Sequence, residues 1–173
     1  MRRFALICLL GLTSATAMAA GGMGKMSMVE LKTADGKTVG SAHLMPAKDG
    51  VSLSVSVKGL AAGTHGIHLH TVGSCQAPDF ASAGAHWNPG HKMHGTDNPK
   101  GSHMGDLPNL VVKADGKGEL TATVKGALLD ASASGLLDSD GSALVLHAAP
   151  DDYKTDPSGN SGGRIACGVV TES

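Results

Sequence analysis

The chain has 173 residues, 41% of them hydrophobic and 17% charged, with a formal net charge of −1. That is the length of one domain, too apolar for a disordered polyelectrolyte and too neutral for a generally basic nucleic-acid surface. Aromatic residues make up only 2%, against 25 glycines and nine histidines. The core therefore falls to Val, Leu, Ile and Ala, and the chain must turn often.

Residues 1–19 read as a cleaved signal peptide, 20–27 as a flexible leader and 28–173 as a single domain. Arg2 and Arg3 precede a short apolar run, Phe4 to Leu12, that is too short to span a bilayer. Ala17-Met18-Ala19 supplies small residues ahead of a cut before Ala20. The rest of a twin-arginine motif is missing, and Cys8 sits poorly for lipidation, so general secretion to the periplasm is expected, with no membrane attachment after cleavage. Loss of the two arginines takes the formal charge to −3, and loss of Cys8 leaves Cys75 and Cys167. In an exported protein two cysteines are most simply a disulfide. A pair of metal-binding thiols is the alternative, although no CxxC spacing supports it. A bond across 92 positions stabilises by roughly 4–5 kcal/mol in the chain-entropy model.

From Met28 onward the hydrophobic period is two. Met28–Thr33 is the first candidate strand. Val51, Leu53, Val55 and Val57 then alternate with Ser52, Ser54, Ser56 and Lys58 in a half-buried strand. Gly66–His70, Leu110–Lys113, Leu120–Val124, Ala143–His147 and Ile165–Thr171 follow. Asp35-Gly36, Asp49-Gly50 and Asp115-Gly116 read as hairpin turns between runs. No segment of a dozen residues carries a helical stripe. About seven or eight short strands make an all-β antiparallel sandwich or barrel. Two stretches do not fit strands: Thr71–Pro108, rich in Gly, Pro, Asn and His, and the acidic Ala148–Gly163. Long loops of this kind are usually functional.

The histidines gather around those loops. His68 and His70 alternate on one strand, so both imidazoles project to one face. His86, His94, His103 and Asp106 follow at intervals of eight, nine and three residues, and His147 ends a late strand just before the second loop. Six histidines and an aspartate placed this way make a transition-metal site.

Here the motifs carry a family resemblance. Gly66-Ile67-His68-Leu69-His70, Gly84-Ala85-His86-Trp87-Asn88-Pro89, His94-Gly95, His103-Met104-Gly105-Asp106-Leu107 and Gly162-Gly163-Arg164-Ile165-Ala166-Cys167-Gly168 resemble, in order and spacing, those of copper/zinc superoxide dismutases. The resemblance implies an eight-stranded Greek-key β-sandwich or barrel, immunoglobulin-like, with two long functional loops. It implies copper held by His68, His70, His86 and His147, and zinc held by His86, His94, His103 and Asp106, with His86 bridging. The ligand chemistry agrees: an all-imidazole set tolerates Cu(II) and Cu(I), and zinc accepts a closed set of three nitrogens and one oxygen.

The implied reaction is dismutation of the superoxide anion to dioxygen and hydrogen peroxide by copper cycling between Cu(II) and Cu(I), an antioxidant activity. Arg164 would dock the anion and His86 would carry a proton. Asp151 would accept hydrogen bonds from His68 and His94 and hold the ligand frame. His65 reads as a buried structural hydrogen-bonder, and Ser158-Gly159-Asn160 resembles the rim of the substrate channel. His43 and His91 match no ligand position and read as solvated. The second loop has Lys154 as its single base, so guidance of the anion would fall to other lysines such as Lys92 or Lys100. Met23, Met26 and Met28 precede the first strand; clustered thioethers suit Cu(I), and a flexible leader is the plainer reading. A copper-buffering protein on the same fold is the alternative function and predicts a missing ligand or a missing Arg164. Whether the chain forms a homodimer is decided by surface patches outside these motifs.

Overall fold

Alternation becomes strands almost throughout. The computed structural model describes residues 26–173; the signal peptide and residues 20–25 of the leader lie outside them. The strands are β1 (Ser27–Lys32), β2 (Thr38–Ala47), β3 (Gly50–Val57), β4 (Gly63–His65), β5 (Ile67–His70), β6 (Leu110–Val112), β7 (Gly118–Lys125), β8 (Ala143–His147), β9 (Arg164–Val169) and β10 (Thr171–Glu172). A single residue parts β4 from β5 (Gly66) and β9 from β10 (Val170), so the ten segments amount to eight strands.

All pairings between these strands are antiparallel and run in the order β4-β6-β7-β3-β2-β1-β9-β8-β5. The two ends of that path are consecutive pieces of one chain segment, which nearly closes the sheet into a barrel. Placing β3 beside β7 rather than β4 is the long crossover of a Greek key. Leu31, Leu44, Leu53, Ile67, Leu69, Leu110, Leu144 and Leu146 fill the interior and are essentially inaccessible.

Two parts of the fold escape the sequence pattern. The first is β2, whose buried residues Val39, Ala42 and Leu44 break the period of two. The pairing register with β1 shifts between Leu31 and Lys32, and that irregularity moves the inward positions by one. Gly40, Ser41 and Pro46 dilute the signal further. The second is the segment 126–142 between β7 and β8, a third stretch without strands. Its Leu136 is fully buried, and the Leu136 carbonyl accepts a hydrogen bond from Ser142 Oγ at 2.7 Å.

β5 and β8 are buried on both faces. Their leucines point into the barrel, while His68, His70 and His147 lie on the outer face beneath the long loops. A small second cluster of Phe80, Ala83, Ala143, Val145 and Cys167, with Cys75 against it, packs the first loop onto this outer face. The Cys75–Cys167 disulfide, with Cα atoms 5.7 Å apart, fixes that loop to β9.

Candidate metal centre

The outer face of β5 presents two imidazoles, and β8 presents a third. His68 stands opposite Val145 and His70 opposite Ala143, so His147 at the end of β8 falls beside them. The first loop returns along β5 and adds His86 through a bridge to His70 and Asp106 through a bridge to His68. Backbone bonds fasten it there: Leu69 N–H donates to Gly105 O (3.0 Å) and Trp87 N–H to Leu69 O (2.8 Å). Two donor groups result. His68, His70, His86 and His147 form one; His86, His94, His103 and Asp106 form the other, with His86 common to both.

Each histidine of the first group uses one ring nitrogen for the protein and leaves the other bare. His68 Nε2 donates to Asp151 Oδ2 (2.7 Å), His70 Nδ1 to the Gly84 carbonyl (2.9 Å) and His147 Nδ1 to the Gly162 carbonyl (3.2 Å). These partners fix the tautomer, so a lone pair is left on His68 Nδ1, His70 Nε2 and His147 Nε2. Those three atoms and His86 Nε2 are buried with no hydrogen-bond partner. Four orphaned nitrogens aimed at one point are costly unless a cation occupies it.

The second group has the dimensions of a coordination polyhedron. Asp106 Oδ1 lies 3.0 Å from His86 Nδ1, 3.1 Å from His94 Nδ1 and 3.2 Å from His103 Nδ1, and the His86 and His103 Nδ1 atoms are 3.4 Å apart. A tetrahedral zinc ion with bonds of about 2.0–2.1 Å has edges of about 3.4 Å. Asp106 Oδ2 meanwhile accepts the Gly95 and His103 backbone N–H groups at 2.9 and 3.0 Å, which holds Oδ1 toward the ring nitrogens.

Electrostatics separate the two groups. Burial, reinforced by neighbouring imidazoles, pushes His70 down to about 2, His147 to about 3 and His86 to about 4, and moves His68 the same way. All four are neutral ligands at neutral pH. His94 goes the other way, up to about 9: burial disfavours its charge, but the carboxylates of Asp106 and Asp151 outweigh it. Both carboxyls, despite burial, are held well below the usual range by their bonds to the histidines.

Every ligand residue expected from the sequence is gathered here. Asp151 lies between the groups, accepting from His68 Nε2 on Oδ2 and from His94 Nε2 on Oδ1 at 3.0 Å. Arg164 pairs across strands with His147. Its Nη1 donates to the Phe80 carbonyl and its Nη2 to the Gly84 carbonyl, both at 2.6 Å. Gly84 O thus joins Arg164 and His70. His65 is buried, with Nδ1 against the His147 carbonyl at 2.9 Å. His91 is exposed, and His43 is half-buried.

Sequence reasoning missed the residues that hold Asp151. Asn109 forms a reciprocal pair with its backbone, Nδ2 donating to Asp151 O (2.9 Å) and Oδ1 accepting from Asp151 N–H (2.8 Å). Tyr153 Oη accepts the Asn109 N–H, and Asp156 Oδ1 accepts the His94 N–H. Gly159 packs so close that a Cβ there would collide with Asp151 and His94. Only topology brings Asn109 to Asp151, so neither residue signals the contact by itself.

The family model for copper/zinc superoxide dismutase matches residues 38–170. The copper/zinc superoxide dismutase of Caulobacter vibrioides is 44% identical over 145 residues, covering 81% of this chain and 82% of that one. The superoxide dismutase-like protein YojM of Bacillus subtilis is 45% identical over 150 residues, covering 82% and 74%. Among solved structures, a SOD-like protein from Bacillus subtilis superposes with a TM-score of 0.79 at 43% identity, covering 83% of this chain and 97% of that one. The Cu/Zn superoxide dismutase of Brucella abortus gives 0.67 at 32% identity, covering 85% and 100%.

Proposed function

The chain belongs to the copper/zinc superoxide dismutase family, and from that premise we propose how its own residues carry the reaction. The protein dismutates superoxide and takes copper and zinc as cofactors. The observation that carries the residue assignment is the convergence of four unpartnered ring nitrogens on one centre, and of three ring nitrogens and the Asp106 carboxylate on a second that shares His86. His68, His70, His86 and His147 would hold copper; His86, His94, His103 and Asp106 would hold zinc. Bound copper supplies the one-electron couple, and bound zinc closes its own site as a redox-inert cation.

Two superoxide ions and two protons become one dioxygen and one hydrogen peroxide. Arg164 draws in and orients the anion, since a guanidinium stays charged even where burial lowers its pKa. Phe80 O and Gly84 O hold the guanidinium in place, leaving further N–H donors for the anion. His86 Nε2 holds and releases a proton while Nδ1 stays anchored beside Asp106. Asp151 keeps the Nε2 protons of His68 and His94 in place and so aims both Nδ1 atoms. A copper-buffering role on this fold would leave a ligand or Arg164 missing, and this chain has all of them. Metal analysis coupled to a dismutation assay tests the reading. Bound copper without turnover would favour buffering.

Export to the periplasm belongs to the same reading. The disulfide suits an oxidising compartment. Among the described residues no helix is long and apolar enough to cross a membrane.

Two results are expected at the zinc side. Metal-free His94 is protonated at pH 7 because its pKa is raised to about 9, and it must be neutral to bind zinc. About one proton per zinc should therefore be released at pH 7, falling to none well above pH 9. Titration calorimetry in buffers of different ionisation enthalpy measures that number. Replacing Asp151 by Asn removes one of the two acceptors and presents an amide N–H to a ring N–H. Zinc affinity should drop about tenfold by chelator competition; unchanged affinity would remove Asp151 from the supporting frame.

A further inference from the structure

Three of the five methionines among the described residues lie together on the outer face of β1 and β2, far in the chain from the histidine loops. Ser27 pairs with Leu44, and both are fully buried; Met28 pairs with His43. Continued one residue beyond the end of β1, that register would set Met26 opposite Met45. Flanking Ser27 and Leu44 point inward, so Met26, Met28, His43 and Met45 share the outward face. Met26, Met28 and Met45 are 38%, 41% and 47% exposed. β10 steadies this end of β1, with Thr171 opposite Met28 and Ser173 bonded through N and Oγ to the Met26 carbonyl.

Exposed strand positions ordinarily cost nothing to make Thr, Lys or Ser, and single exposed methionines need no explanation. Adjacency is a different matter. Directly opposed residues have Cβ atoms about 4.5–5.5 Å apart, with diagonals about 7–8 Å, and a thioether sits on a long, freely rotating stem. Three sulfurs and one imidazole nitrogen can meet at one point above the sheet. Thioether sulfur and imidazole nitrogen both coordinate as uncharged donors. Glu30, the next residue on this face, is held by Lys32 (2.8 Å) and Thr38 (2.7 Å). Soft neutral donors without a carboxylate discriminate against zinc and calcium and favour a soft monovalent ion.

We propose that Met26, Met28, Met45 and His43 form a third metal site, which binds Cu(I) independently of the catalytic pair. No electron transfer is required of it. Protein loaded with copper and zinc and labelled with methyl-13C methionine can be titrated with Ag(I), a non-oxidisable stand-in. One Ag(I) per chain should bind and shift the methyls of Met26, Met28 and Met45, with those of Met93 and Met104 unmoved. Anaerobic Cu(I) competition against bicinchoninate should give the same stoichiometry. Met28→Leu/Met45→Leu keeps the strands and should weaken both ions at least tenfold, with His43→Gln smaller in effect. Equal affinity in the double variant, or no binding beyond the catalytic metals, overturns the site. Methyl shifts that follow protein concentration rather than Ag(I) would overturn it too, marking the face as a contact between copies.

Discussion

Replacing His70 with alanine should abolish dismutation and leave zinc bound. His70 Nε2 is one of four unpartnered nitrogens in the all-histidine group, and it is not shared with the zinc group. Alanine removes a neutral donor and opens a hole beside three others that cannot close around the ion. The Gly84 carbonyl loses one of two donors but keeps Arg164 Nη2. Zinc should be retained because His86, His94, His103 and Asp106 are untouched. Metal content should show zinc near one per chain with copper depleted, and turnover should fall at least a hundredfold. Wild-type turnover in this variant would remove His70 from the reacting centre.

Arg164→Ala should lower kcat/KM by about ten- to a hundredfold, the scale of a local field acting on a small anion, with both metals retained. The full chain carries a formal charge of −1, and residues 20–173 alone carry −3; either repels an anion at long range. A fixed cation next to His147 therefore counts for more. Arg164→Lys keeps the charge but cannot span the Phe80 and Gly84 carbonyls as a planar fork does, so an intermediate rate is expected. Added salt should slow the parent and slow the alanine variant less. Stopped-flow or pulse-radiolysis rates across ionic strength separate these outcomes. Equal rates for parent and alanine variant at low salt would place Arg164 outside the path of the anion.

The two donor groups were legible because chemistry and spacing coincide in their residues. His68 and His70 alternate on a strand whose pattern is plain, and His86 to Asp106 crowd into one glycine-rich loop. The tautomers of His70 and His147 were not legible, since these depend on carbonyls of Gly84 and Gly162 that any residue could supply. Asn109 was hidden for the same reason: its partner Asp151 lies 42 positions away. In the fold, β3 announced itself by strict alternation, whereas β2 concealed itself behind a register shift and small residues. Local patterns report faces; they do not report which distant backbone will lean on them.

The way the first loop lies along β5 bears on solubility. A strand bonded on one side offers the other as a template for foreign chains. On β5 that side is occupied by Gly105 and Trp87 through the Leu69 backbone, with His86 and Asp106 bridging next to them. The same loop residues thus shield a bare strand and contribute metal donors. Ions held by these donors would tie the shield down. Without the ions, the buried unpartnered nitrogens of His68, His70, His86 and His147 would count against the seated loop. The residues that would hold the metals are thus the ones that cover the open side of β5.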